Sequence, residues 1–319
     1  MALIDDGTRP RLLALRALGL GDFLTGVPAL RALRRAFPRH ELVLAAPTAL
    51  TPLVSLADVA DALLPAGGLQ PLDWAGPAPD LAVNLHGKGP QTHELLRALS
   101  PRRLVAFGNA EAGFEGPAWR PGEHEIRRWC RLLEEALDID TDVDDLLLRR
   151  PASSPLTGAD AVVVHPGAAF PARRWPADRF AEVAHWATTQ GHEVVVTGGP
   201  GEEPLAQGVA ALAGLPDRAV LAGRTDLATL AGVVAHARLV VCGDTGVAHL
   251  ASAFGTPSVV LFGPVSPAEW GPPAKGPHTV LWHGAGDGDP WGETTDPALL
   301  QIGVGEVLAA AQARLSDSR

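Results

Sequence analysis

The sequence predicts an α/β protein made of two doubly wound parallel-sheet domains. Three observations carry that expectation. Short, continuously apolar runs alternate with helix-patterned segments along the 319-residue chain, and apolar strands with helices between them imply parallel sheets covered on both faces. The alternation occurs twice, in two stretches each long enough for a domain. Between them "TDVDDLLLRRPASSPLTGAD" (141–160) breaks the rhythm with proline, serine and charge. We therefore expect domains at 1–154 and 155–319, with ligands at the carboxyl ends of the strands and in the cleft between the domains.

In the first half, strands are expected at "RLLALRA" (11–17), "ELVLAAP" (41–47), "LAVNLHG" (81–87) and "RLVAFG" (103–108). Helical spacing follows in "DFLTGVPALRALRRAF" (22–37) and "GEHEIRRWCRLLEEAL" (122–137). In the second half, strands are expected at "AVVVHPG" (161–167), "EVVVTGG" (193–199), "AVLAG" (219–223), "RLVVCGD" (238–244) and "SVVLFGP" (258–264), the first four each followed by a plausible helix.

Composition narrows the function. The formal net charge of -10 argues against an extended nucleic-acid footprint. No apolar run approaches the roughly 20 residues of a membrane span. "MALIDDGTRP" has two aspartates and no apolar core, unlike a signal peptide. Cys130 and Cys242 have neither metal-ligand spacing nor a disulfide framework. The expectation is a cytoplasmic protein. Of 26 lysines and arginines only Lys88 and Lys275 are lysines, a GC-rich bias that warns against assigning chemistry to every arginine.

Four strand-end segments carry the candidate chemistry. "GLGD" (19–22) follows the first strand, and its glycines, Gly19 and Gly21, permit a tight turn and close ligand approach. Asp22 then reads either as a helix N-cap or as a general base. The spacing lacks the dinucleotide fingerprint GxGxxG. "HPGAAFPARRWP" (165–176), with His165 and Gly167, is longer than a minimal turn. Its adjacent Arg173 and Arg174 lie near a helix start, where the macrodipole disfavours cations unless an anion joins them. Arginine forks suit phosphate oxygens; a solvated arginine pair is the plainer alternative. "TGGPGEEP" (197–204) offers Gly199 for close approach and Glu202 or Glu203 for ribose hydroxyls, although acidic residues are common in first helical turns. "CGDTGVAHLASAFGTP" (242–257) passes from a buried strand through Asp244, Thr245 and Gly246 into a small-residue helix containing His249. Unpaired N–H groups at such a helix start suit a phosphate. With Thr245 as N-cap, His249 lies about one turn in; a lone helical histidine is otherwise structural.

Other features are plainer. "DGD" (287–289) resembles a metal-holding Asp-x-Asp but lies in a Gly/Pro-rich segment that reads as loop. His86 and His93 lack a third ligand at metal spacing, and no metal site or cofactor is expected. Arg31, Arg34, Arg35 and Arg39 read as a solvated face, with an anionic acceptor as the alternative. G-x-S-x-G and Walker A motifs are absent.

Taken in order, these segments resemble glycosyltransferase family 9, the heptosyltransferases that use ADP-heptose. The resemblance runs from "LRALGLGDFLTGVPALRALRRAFPRHELVLAAP" through "DLAVNLHG", "HPGAAFPARRWPADRFAEVA" and "VVVTGGPGEEPLA" to "DLATLAGVVAHARLVVCGDTGVAHLASAFGTPSVVLFGP". It implies the GT-B fold: two facing Rossmann-like domains, donor nucleotide on the second, acceptor on the first. By position, Asp22 matches the proposed catalytic base. Arg173 falls where the family usually has a lysine near the donor phosphates, and Arg174 matches the basic residue after it. Asp244, Thr245 and Gly246 match the turn that contacts donor sugar and diphosphate, and His249 the motif histidine. Glu203, less directly Glu202, matches an acid near the adenosine ribose. Gly21, His165, Gly167 and Gly199 complete the implied donor site. The cysteines that some relatives carry near the C-terminus are absent. The implied reaction is inverting, metal-independent transfer of a heptosyl group from a nucleotide-diphospho-sugar, ADP-heptose, to a glycan or small-molecule hydroxyl. The protein would carry no integral membrane segment, with peripheral membrane association compatible. A sugar-nucleotide epimerase or hydrolase of the same fold, or a non-catalytic nucleotide-sugar binder, are the competing expectations.

Overall fold

The computed structural model describes residues 9–154, 156–158 and 160–317. The first eight residues, on which most of the leader-peptide reading rests, lie outside the described residues, as do Pro155 and Ala159 of the expected linker. The chain divides into two compact units, Met1–Leu146 and Leu147–Arg319. The stretch from Leu148 to Pro151 bonds within the second unit: Leu148 N–H donates to Ala253 O at 2.8 Å, and Arg150 Nη2 to Phe254 O at 2.6 Å.

The first unit runs β1 (Arg11–Leu15), α1 (Leu20–Ala36), β2 (Glu41–Ala46), α2 (Thr51–Ala57), β3 (Ala62–Pro65), β4 (Leu81–Asn84), α3 (Gln91–Arg97), β5 (Arg103–Val105) and α4 (Glu125–Leu137). Its parallel sheet has the order β3-β2-β1-β4-β5. Leu13, Leu15, Val43, Ala45 and Ala82 share one buried cluster with Leu96 of α3. Helices α1 and α4 pack against each other.

The second unit runs β6 (Val162–His165), α5 (Ala177–Thr189), β7 (Val194–Val196), α6 (Glu203–Ala213), α7 (Leu227–Ala235), β8 (Leu239–Gly243), α8 (Gly246–Phe254), β9 (Ser258–Leu261), α9 (Pro267–Trp270), β10 (His278–Leu281), α10 (Pro297–Gln301) and α11 (Val304–Asp317). Its parallel sheet has the order β10-β9-β8-β6-β7. Val162, Val164, Val241, Val259 and Leu261 pack under Phe180, Val209 and Val307 of three covering helices. Both sheets are fully parallel and doubly wound, as the continuous apolar runs require.

Three details differ from the sequence expectation. Residues 219–223 form no strand. Val220 makes a single parallel bridge to Val196, between a 3₁₀ turn at Asp217–Ala219 and Gly223 at φ +68°, so there is no room for a ladder. β3 and β10 are absent from the expected strands. Both are sheet-edge strands whose residues are largely half-exposed, and they lack the apolar run that marks a central strand.

In each sheet the strand order reverses beside one strand: β1 pairs with β2 and β4, and β6 with β7 and β8. The crevice beyond the carboxyl ends at such a reversal is where open α/β sheets bind ligands.

Candidate functional site

At the first reversal, β1 passes through Arg16 and Ala17 into α1, whose N-cap is Gly19 with no side-chain cap bond. Asp22 is therefore not the cap. It stands half-buried in the first turn, and burial raises its carboxyl above the usual 3.8, with Arg16 pulling it down and Glu125 pushing it up. Beyond β4, His86 Nδ1 accepts the Ala17 N–H at 3.1 Å, which leaves the proton on Nε2. Burial, with the Arg16 charge alongside, holds this ring at about 4.

Beneath lies a cluster that sequence reasoning misses. Arg16 is fully buried. Its Nε donates to Asp22 O and its Nη1 to Leu85 O, while Nη2 reaches Thr25 Oγ1 at 2.9 Å and Glu125 Oε1 at 3.3 Å. Glu125 also accepts from Trp129 Nε1 at 2.7 Å and from Arg128 Nη1. The guanidinium lies over the Trp129 ring, 4.9 Å from its centroid. The signal in the sequence is a charge at the inner end of an apolar strand, which has to be paired when buried.

At the second reversal, His165 ends β6 opposite Cys242 of β8. Its Nδ1 lies 3.0 Å from Thr197 Oγ1, and burial holds the ring at about 4 with Glu202 opposing, so the imidazole is neutral at pH 7. Glu202 Oε2 accepts the Gly199 N–H at 2.7 Å, and its carboxylate lies against Gly167, where a Cβ would overlap it. Glu203 is turned instead onto Gly223. These glycines are where the backbone has to admit a carboxylate.

Beyond β8, Asp244 is buried, and burial lifts its carboxyl to about 6 against the pull of Arg173. Arg173 Nη1 is 3.6 Å from Asp244 Oδ2, and Arg173 Nε is buried with no hydrogen-bond partner. Arg174 turns the other way: Nε and Nη2 both donate to Ala168 O, at 2.9 and 2.7 Å, bracing its own loop. Thr245 is the N-cap of α8, and its side chain makes no cap bond, so the helix start keeps unsatisfied N–H groups beside Gly246. His249 lies in the next turn, nearly buried, its ring 5.8 Å from that of Trp270. A cation with an orphaned donor, an open helix start and a buried acid at one strand end make a place for an anion attached to a polar group.

Other expected features lie apart from these clusters. Arg31 and Arg35 pair with Asp145 at 2.6 Å each, and Arg34 pairs with Asp61. His93 is buried, with Nε2 2.9 Å from Phe107 O. Asp289 of the "DGD" segment caps a turn, accepting the Trp291 N–H at 2.9 Å. Among the described residues no group of three or more His, Cys, Asp or Glu is arranged to hold a metal ion, and no helix is long and apolar enough to cross a membrane.

Residues 117–286 match the family model described as glycosyltransferase family 9 (heptosyltransferase), just over half of the chain. Lipooligosaccharide heptosyltransferase 2 of Haemophilus influenzae is 34% identical over 122 residues, covering 36% of this chain and 34% of that protein. Lipopolysaccharide heptosyltransferase 1 of Pseudomonas aeruginosa is 36% identical over 153 residues, covering 47% and 42%. The chain thus aligns with less than half the length of these curated relatives. Among solved structures, a family 9 glycosyl transferase of Veillonella parvula superposes with a TM-score of 0.79 at 22% identity, over 97% of both chains. Escherichia coli ADP-heptose heptosyltransferase II superposes with a TM-score of 0.77 at 20% identity, over 96% of this chain and 99% of that one. These likenesses show the shared two-unit α/β fold.

Proposed function

The chain belongs to glycosyltransferase family 9, and from that premise we propose that it transfers a heptosyl group from ADP-heptose to a hydroxyl of a glycan or small-molecule acceptor, with inversion and without a metal ion. The observation that carries this reading is the anion-ready corner of the second unit, where Arg173 Nε is buried without a partner beside Asp244 and the open start of α8. The donor diphosphate fits there. Arg173 and the N–H groups near Thr245 and Gly246 meet its oxygens, and Arg174 holds the loop in shape. Asp244, ionised above about pH 6, accepts hydrogen bonds from sugar hydroxyls. Glu202 or Glu203 takes the ribose, and His165 and His249 support the same corner. The reaction breaks the bond between the anomeric carbon and the diphosphate oxygen through an oxocarbenium-like state. Charge builds on the leaving ADP, and the same donors stabilise it. The acceptor oxygen attacks the opposite face and its proton passes to Asp22. Burial raises Asp22 above an ordinary aspartate, which favours proton acceptance. We place the reaction in the cytoplasm, at or near a membrane surface where the acceptor is lipid-linked.

Mass spectrometry of mixtures of the protein, ADP-heptose and cell-derived glycan fractions tests the reaction: an acceptor heavier by one heptosyl unit is the expected product. Thermal shifts with ADP-, UDP-, GDP- and dTDP-sugars test the donor, because a ligand of the native state raises its melting temperature. Stabilisation by UDP- or dTDP-sugars and none by ADP-sugars overturns the assignment. Asp22→Ala is expected to keep the ADP-heptose shift and lose about 10²–10⁴-fold in transfer; wild-type turnover in that variant removes Asp22 as the base.

A further inference from the structure

We propose that the buried Arg16–Glu125 pair is the positioning device of the first unit's site: it seats the turn that carries Asp22 and balances the charge around its carboxylate. Arg16 lies where three elements meet. Its fork donates to the backbone of α1 at Asp22, to the backbone just past β4 at Leu85, and to the side chains of Thr25 and Glu125. Gly26 clears its path, since a Cβ there would lie 2.7 Å from Arg16 Cδ. A guanidinium offers several fixed donors at once; an ammonium is a point charge and cannot make this set. Glu125 opens α4 and completes the arrangement with its bonds from Trp129 and Arg128.

The pair also acts on the carboxylate above it through its charges. The two effects are of opposite sign: the Arg16 charge draws Asp22 towards ionisation and the Glu125 charge resists it. Arg128 on α4 acts on the Arg16 charge, and His86 beyond β4 is held neutral. Burial raises the Asp22 carboxyl most, the backbone at Gly19 and Asp22 lowers it by hydrogen bonding, and the pair adds its two opposed pulls to these. From the proposed function this inference takes only that Asp22 is the proton acceptor.

Carbon-13 NMR titration of the aspartate carboxyls of the full chain provides the test, with Asp22 identified by the resonance missing in Asp22→Asn. In Glu125→Gln the Asp22 midpoint is expected to move down. In Arg16→Met it is expected to move up, and Arg16→Lys, which keeps the charge, should return it towards wild type. The acid limb of ADP-heptose turnover should follow each midpoint. If Arg16→Met does not fold, Glu125→Gln decides alone. An unmoved or raised midpoint in Glu125→Gln overturns the proposal, as does one shared midpoint for the Met and Lys variants. The titration needs no substrate, so a wild-type protein inert towards ADP-heptose would remove the functional reading and leave this result standing on its own.

Discussion

Asp244 shows what a single buried carboxylate costs the fold. Its unfolded-state value is 3.8 and its folded value about 6, so the folded protein holds the proton more tightly. Ionisation therefore costs stability: nothing below about pH 4, increasingly between 4 and 6, and fully above 6. That rise corresponds to about 3 kcal/mol. That figure is already net of the pull of Arg173, which stays weak because Arg173 is 27% exposed and 3.6 Å away, so solvent screens the pair. Asp244→Asn removes the buried charge and leaves Arg173 its access to water. We expect the variant to melt higher than wild type at pH 8 and equal to it at pH 4, while losing ADP-heptose turnover at both. Scanning calorimetry at the two pH values checks this, and a lower melting temperature at pH 8 would show that the Arg173 contact outweighs the burial.

At the scale of elements, α1 illustrates what a sequence does and does not make legible. The central strands stand out as continuous apolar runs because both of their faces are covered, as in "VVVH" and "LVVCG" with every residue buried. The half-exposed edge strands β3 and β10 do not, and the run at 219–223 misleads because Val220, Leu221 and Ala222 are buried without a ladder. The glycine-rich strand ends are legible as places of close approach, since at Gly167 and Gly223 a Cβ would meet the Glu202 and Glu203 carboxylates. Invisible is the support under Asp22, because Arg16 and Glu125 are 109 positions apart and only the fold joins them. The helix itself records that partner in Gly26, a poor helix former placed where Arg16 has to pass. Gly26→Ala should raise intrinsic helix propensity by about 1 kcal/mol yet lower stability, since a new methyl 2.7 and 2.8 Å from Arg16 Cδ and Nε displaces a fully buried cation. Urea unfolding measures the sign; a stabilised variant would mean that Arg16 shifts without loss.

For the molecule as a whole, acid sets opposing groups against one another. His86, His165 and His278 are each held at about 4, mainly by burial. A histidine whose folded value lies below its unfolded 6.5 stabilises the fold fully above that pH, and the contribution is lost as pH falls towards 4. Asp244 runs the other way over much the same window, gaining on protonation. His165, almost fully buried, contributes about 3 kcal/mol through its lowered value and so roughly offsets Asp244 within the second unit. His278, in the same unit, then tips that balance towards loss, though its partial exposure makes its share smaller. In the first unit His86 acts with no such counterweight beyond Asp22, which is half-buried and also gains on protonation. Below pH 4 the carboxylates paired with arginine, Asp61, Asp145, Glu123 and Glu134, add to the loss, since each is held below its ordinary value in the fold. Thermal unfolding followed from pH 8 to pH 4 is therefore expected to show a net fall in melting temperature, beginning near pH 6.5. His278→Gln should flatten part of the fall and leave the part carried by His86 and His165 in place. A melting temperature that rises between pH 6.5 and 4.5 would mean that the buried acids, rather than the histidines, govern the acid response.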